Sequence, residues 1–331
     1  MKTSLTTSYL GLQLKHPFIL GASPLTGDLD SVRRVADGGC AAIVMHSLFE
    51  ERIPDVPTEA IDRLARMMPE LSGPGHFPRR GKLPLGPDEY LEQLRRIKTA
   101  VGVPVIGSLN GTGADGWLES APLIEQAGAD ALELNLYYIA ASPEDSPVAI
   151  ERDIESIVRR AKELVHIPVA VKLSPFYTAF ASLAARLDAA GANGLVLFNR
   201  FYQPDIDVET LEVLPTLRLS TSSELLLRLH WLAILSDRLK ASLAAVGGVQ
   251  SVTDGLKALL SGAHAVQMVS AVLQQGPQHF REMEEGLRQW MDRLEYGSID
   301  AFRGRLSLRR IVNPSAFERV NYLRVLQAWS E

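Results

Sequence analysis

The sequence is poor in cysteine: Cys40 is the only one among 331 residues. No intrachain disulfide can form, and no set of thiolates exists in this chain to hold an iron–sulfur centre or a structural zinc. Other metal patterns are missing too, with no His-Glu-x-x-His and no Cys-x-x-Cys. No apolar run approaches the roughly 18 residues of a membrane-spanning helix. The opening stretch MKTSLTTSYLGLQL lacks the long apolar core of a signal peptide. Positive charge is not in excess: 34 Lys and Arg against 39 Asp and Glu give a formal net charge of −5. That gives no general pull toward nucleic acid or an anionic membrane. The expectation is a soluble protein of a reducing cytoplasm.

What is present is a regular alternation. Eight short runs rich in Val, Ile, Leu and Ala recur: FILGAS (18–23), AAIVMHS (41–47), VPVIGSLN (103–110), ADALELNL (129–136), IPVAVKLS (167–174), NGLVLFN (193–199), SLAAVGG (242–248) and HAVQMVS (264–270). Runs apolar on both faces suit parallel strands covered by helices. Between them, helical spacing occurs at 30–37, 90–100, 117–127, 150–165, 180–190 and 252–260. Eight strand–helix units predict an α/β fold, a (β/α)8 barrel. Every second strand follows a small-residue turn, at Gly39, Gly128, Gly191 and Gly262, where a helix would end on glycine. Three others follow Pro17, Pro104 and Pro168, since proline is tolerated where no ladder N–H is yet needed. The reading is of one barrel domain over 1–331, with an N-terminal strand extension. Two long connections, 49–88 after the second strand and 200–224 after the sixth, would shape or cover a site. A tail over 277–331 carries helices near 278–294 and 316–329.

In such barrels the chemistry lies at the C-terminal strand ends. Those ends hold Ser23, His46 with Ser47, Asn110, Asn135 followed by Tyr138, Lys172, Asn199, Gly247 with Gly248, and Ser270. Lys172 sits in the apolar run VAVKLSP, where a lysine needs a partner. It would either form a Schiff base or hold charge against an anion. Asn135 and Asn199 offer donors and an acceptor, for a heterocycle edge or for the protein itself. His46 alone suits a satisfied structural role. The pair Gly247-Gly248, followed by a helix opening with a Ser251/Asp254 capping box, permits a close backbone approach. An anion such as phosphate fits there, and so does a plain strand-to-helix turn.

Taken in order, GAS, ELNL, VKLSP, the Asn of LVLFNRF, the Gly-Gly turn and QMVSA make the chain resemble the dihydroorotate dehydrogenase family of FMN-dependent barrels. The likeness runs from about residue 5 to 300, and is nearest to its "dihydroorotate dehydrogenase-like" branch. The resemblance implies hydride transfer between a substrate CH–CH bond and flavin N5, with dihydroorotate to orotate in pyrimidine biosynthesis as the family reaction. It implies that Gly247, Gly248, Val249, Ser270 and Ala271 bind the FMN phosphate, and that Ala22 and Ser23 lie along the isoalloxazine. Ser47 and Asn110 would join that cofactor set. Lys172 would face the N1–C2=O edge, and Asn135 and Asn199 would bond substrate or flavin.

Two positions depart from the family pattern. Tyr138, in LNLYYIA, stands where the family has its Cys or Ser base, and would act only if neighbouring cations lowered its pKa. His46 stands where the family has a second lysine. The family's strand-3 asparagine loop has no match in GKLPLGP. The expected substrate is therefore a cyclic or conjugated carbonyl compound, dihydroorotate or another. A homodimer is implied, with an electron acceptor the sequence does not name. Two other functions fit the residues: a Schiff-base lyase or aldolase using Lys172, and a flavin-binding protein without turnover.

Overall fold

Parallel pairing of eight short strands, closing on themselves, organises the chain. The computed structural model describes residues 3–50, 86–111, 117–136, 138–200, 203–214, 218–317 and 319–328. The strands are β1 (Phe18–Leu20), β2 (Ile43–Val44), β3 (Val105–Asn110), β4 (Ala131–Asn135), β5 (Val169–Leu173), β6 (Gly194–Leu197), β7 (Ser242–Val246) and β8 (Ala265–Met268). Each pairs with the next, and β8 returns to β1 with Met268 opposite Leu20. A two-residue piece, Leu48–Phe49, continues beyond β2 and pairs with the upper end of β3. The expected (β/α)8 barrel is the observed fold, and all eight strands fall within the predicted runs.

The prolines and glycines act as the sequence suggested. Each proline before an odd strand lends its carbonyl to a neighbour: Ile43 N–H to Pro104, Leu132 N–H to Pro168 and Val266 N–H to Pro17, at 2.8–3.0 Å. The proline thus starts a ladder with the one group it has. Gly39, Gly128, Gly191 and Gly262 all take φ between 96° and 118°, which turns a helix end sharply into the following strand at little steric cost.

The helices are α1 (Leu29–Asp37), α2 (Pro87–Ala100), α3 (Ser120–Gln126), α4 (Pro147–Leu164), α5 (Phe180–Ala189), α6 (Leu225–Leu235), α7 (Val252–Ser261), α8 (Ser270–Gln275), α9 (His279–Arg293) and α10 (Arg319–Ala328). Two were not expected. The run LLLRLHWLAIL of α6 is apolar nearly all round, so it carries no clear helical period. Its one local signal is the capping box Thr221/Glu224 just ahead of it. Helix α8 is only six residues long. The helix expected near 278–294 packs on the outside of the barrel as its eighth helix. Phe280, Met283, Leu287 and Met291 of α9 are fully buried, and Gly286 lies so close to Val252 of α7 that a Cβ would meet it at 2.4 Å. The connection 200–224 contains a hairpin, Asp205–Asp207 with Glu212–Leu214. Most of the other, 49–88, lies outside the described residues.

Side chains alternate along each strand, so the barrel has two apolar populations. Outward residues such as Leu132, Leu134, Val171, Leu173 and Leu195 meet the helices. Inward residues are mostly small: Ala42, Ala131, Ala170, Ala244 and Ala265. The space they leave is filled by the expected N-terminal extension, a hairpin of Thr7–Tyr9 and Leu12–Leu14. Tyr9, Leu10 and Leu14 plug the barrel floor. Leu10 explains Gly194, whose Cβ would lie 2.4 Å from Leu10 Cδ2.

His16 precedes β1 and is wholly buried. Its Nδ1 accepts from Phe18 N–H at 3.2 Å, so Nε2 carries the proton and donates to the Gly39 carbonyl at 2.7 Å. The bond that Nδ1 accepts needs the neutral ring, and burial lowers its pKa to about 4. The stabilisation is complete above the unfolded pKa of about 6.5 and is lost as pH falls through 6.5 toward 4. Urea unfolding should show His16 costing about 2 kcal/mol at pH 5 relative to pH 8. His16→Gln should flatten that slope by a similar amount.

Candidate active site

The inward positions change character toward the strand C-termini. On β4 they run Ala131, Glu133, Asn135, and on β5 Ala170, Lys172, with Asn135 opposite Lys172 in register. The floor is apolar, the middle tier polar, and the mouth carries the functional candidates. Lys172 is 5% exposed and Glu133 is 1% exposed. Glu133 Oε1 lies 3.5 Å from Lys172 Nζ, and Gln267 Nε2 on β8 donates to Glu133 Oε2. Tyr9 faces Gln267 from the floor without closing a hydrogen bond. Burial, reinforced by the Glu133 charge, pushes its phenol well above the ordinary value of 10.

Asn199, just past β6, donates from Nδ2 to Asn135 Oδ1 at 3.0 Å. The structure thus brings Asn135, Lys172 and Asn199 together. Whichever way round the two amides are turned, one NH2 donor and one carbonyl acceptor remain for a ligand.

A second group closes β1 and β2. His46 N–H donates to Thr26 Oγ1 at 2.6 Å, and the Thr26 hydroxyl donates to the Ser23 carbonyl at 3.0 Å. His46 Nδ1 lies 3.1 Å from the same hydroxyl, and its ring meets Tyr90 edge-on. Burial lowers the His46 pKa to about 4, so at neutral pH the ring is not a cation. Its Nε2 and Ser23 Oγ are buried with no partner among the described residues. Such atoms are costly unless something bonds them, and a polar ligand would. Ser47 Oγ lies 2.8 Å from Ser108 Oγ. Asn110 ends β3 in register with Asn135, and Ala22 packs beside the inner barrel cluster.

The Gly247-Gly248 turn has φ of +82° and +83°. A Cβ on Gly248 would lie 2.5 Å from the backbone nitrogen of Leu225, and one on Gly247 3.1 Å from the Arg228 guanidinium. Gly248 is therefore required by the approach of α6, and Gly247 is favoured by its positive φ, whatever else they bind. Ser220 bridges this rim: its Oγ accepts from Gly248 N–H at 3.1 Å, and its N–H donates to Ser270 Oγ at 2.9 Å. Val249, Ser270 and Ala271 are buried beside it. The residues assigned to a phosphate thus share one rim of the barrel, at the ends of β7 and β8.

Sequence reasoning missed Glu133, Gln267, Ser220 and Arg228. Glu133 was legible from period two, two residues before Asn135 on the same face. Arg228, like Lys172, is a cation in an apolar run. It is buried, which lowers its pKa, and it ties three elements together: Nε donates to the Val246 carbonyl at 2.9 Å and Nη1 to that of Glu224 at 2.7 Å, while Nη2 is 3.5 Å from that of Phe198.

Tyr138 lies on the rim and is 40% exposed. Its hydroxyl donates to Asp145 Oδ1 at 3.1 Å, and that bond raises the phenol pKa. Among the described residues no cation lowers it, contrary to the condition set for a base in its ionised form. A cavity of about 350 Å³ opens beside it, lined in part by Ile139, Asp145, Ser174, Phe176 and Tyr177. Tyr137 lies outside the described residues. The lone thiol is no substitute base: Cys40 is buried ahead of β2, away from the mouth, and burial pushes it up to about 12. Among the described residues no cluster suits a metal ion, and no helix is long and apolar enough to cross a membrane.

A closed barrel with a buried ammonium at its mouth and a glycine turn on its rim defines a class of ligand-binding enzyme barrels. Residues 4–291 match the family of dihydroorotate dehydrogenase, and the chain belongs to that family. It is accordingly an oxidoreductase of the kind that acts on CH–CH bonds. The catalytic subunit of dihydroorotate dehydrogenase B (NAD(+)) from Thermoplasma volcanium is 27% identical over 310 residues, covering 91% of this chain and 98% of its own. The subunit of that name from Methanosarcina acetivorans is 28% identical over 305 residues, covering 89% and 93%. A protein of Aeropyrum pernix, 27% identical over 300 residues and covering 87% and 92%, is provisionally named dihydroorotate dehydrogenase A (fumarate).

Gly248→Ala should destabilise the protein by more than about 1 kcal/mol. At Gly102 a Cβ meets nothing within 4 Å, and Gly102→Ala should stay within about 0.5 kcal/mol. Urea denaturation of the two variants beside the parent protein checks this.

Proposed function

We propose that the protein is an FMN-dependent oxidoreductase that moves hydride between a CH–CH bond of a cyclic carbonyl compound and flavin N5, with dihydroorotate the first candidate substrate. The observation that carries this is the Lys172 ammonium, buried at the barrel mouth beside Asn135 and Asn199. The unpaired buried atoms Ser23 Oγ and His46 Nε2 at the same mouth fit a polar cofactor edge.

Gly247, Gly248, Val249, Ser270 and Ala271 would hold the phosphate, with Ser220 yielding the Gly248 N–H or sharing it. Ala22 and Ser23, with Ser47 and Asn110, would line the ring. When bound, FMN supplies the hydride acceptor. Lys172 presents a fixed positive charge in a site of low dielectric, where it is worth far more than in water. The remaining donor and acceptor of Asn135 and Asn199 match the N–H and C=O of a cyclic amide and would orient its CH–CH bond. His46, being neutral, offers a ring nitrogen where a cation would otherwise stand. Tyr138 would accept the proton leaving the substrate carbon as its own proton passes to Asp145, so the phenol need not ionise beforehand. The names of the relatives pair this chemistry with NAD(+) or with fumarate as acceptor, and either would close the cycle here.

A Schiff-base role for Lys172 is the poorer fit. It needs a neutral amine, and the Glu133 carboxylate at 3.5 Å is the counter-ion of an ammonium.

Purified protein should take up FMN and be yellow, and anaerobic dihydroorotate should bleach it. Lys172→Met should slow bleaching at least about 100-fold, and Tyr138→Phe at least about tenfold. Protein that stays colourless after incubation with FMN would overturn the reading. Yellow protein that only other cyclic carbonyl compounds bleach would move it to one of those substrates.

A further inference from the structure

Glu133 is the most deeply buried carboxylate beside the site, and neither the family likeness nor the sequence reading gives it a task. It shares the inward face of β4 with Asn135, one step below the mouth. Its surroundings are sparse. Oε2 accepts from Gln267 Nε2, while Oε1 has no hydrogen bond among the described residues and faces Lys172 Nζ at 3.5 Å. Two phenols feel its charge: Tyr9 from the floor and Tyr90 from α2. Neither donates to it. A buried carboxylate is tolerated only when paired, and Lys172 is the cation that pairs it. The dependence runs both ways, because a lysine in this apolar tier also needs a counter-ion.

From this arrangement we infer that Glu133 is a positioning residue: its carboxylate holds the Lys172 ammonium at the barrel mouth and offsets part of its charge. It thereby sets how much of that charge a bound flavin feels. The second half of this inference rests on the flavin reading above; the first does not. Removing the carboxylate leaves the ammonium's field uncompensated. Negative charge on reduced flavin would then be held more strongly.

Two measurements decide this. The first is the two-electron midpoint potential of bound FMN at pH 7, by dye equilibration. Glu133→Gln should raise it by about 30 mV, equivalent to a tenfold change in the equilibrium, and Glu133→Asp should return it toward the parent value. A potential that is unchanged or lower in Glu133→Gln would overturn the inference, because a merely structural glutamate would leave it unmoved. The second uses the protein without added flavin. Glu133→Gln and Lys172→Met should each lower the denaturation midpoint, and the double variant should lose clearly less than the sum. Additive losses would show that the two side chains do not form a pair, and would overturn it. Failure of the parent protein to bind FMN would refute the proposed cofactor, while the double-mutant cycle would still decide on Glu133.

Discussion

A cation kept out of water must be answered from within the protein. At the centre of this barrel the answer is the pair Lys172 and Glu133. Below the pair the inward face of the strands is rich in alanine. Small inward side chains leave room for the N-terminal hairpin, whose Tyr9, Leu10 and Leu14 seal the floor. Above that floor Lys172 and Glu133 are both buried, and burial strengthens the attraction between their charges. Sequence composition, packing and electrostatics are thus one chain of cause.

The rim follows a different rule. Here backbone groups need partners and glycines admit close neighbours. Arg228 joins the end of β6, the end of β7 and the start of α6 through the carbonyls of Phe198, Val246 and Glu224. Ser220 bridges the Gly248 amide and the Ser270 hydroxyl. These bonds fix the geometry of the surface on which a phosphate would rest. The turn Gly247-Gly248 admits helix α6, and under the proposed function the same bare backbone would meet a phosphate, with Ser220 now holding the Gly248 N–H.

Much of the barrel was legible because the residues that mark it act locally. Proline before odd strands, glycine before even ones and runs apolar on both faces each report a constraint within a few residues. Helix α6 was not legible because its constraint is tertiary: leucines on nearly every face erase the period that would reveal it. The site divides in the same way. Lys172, Asn135 and Asn199 stood out as polar residues ending apolar runs, and their meeting follows from strand register. Glu133 was overlooked although its spacing from Asn135 puts it on the same face. Ser220 could not be read at all, since its partners lie 28 and 50 residues away. As a base in its ionised form, Tyr138 needs a neighbouring cation. The structure gives it Asp145 instead, which changes the form of the proposed proton transfer from ionised phenolate to relay.

The central claim is that the ends of β7 and β8 hold a phosphate while Lys172 faces the ring attached to it. Hydrogen–deuterium exchange with and without FMN tests this most directly. The account predicts slowed exchange in 246–250 and 268–272, with the floor hairpin at 7–14 unchanged. Exchange at those two segments that is indifferent to FMN, or protection confined to other parts of the chain, would contradict it.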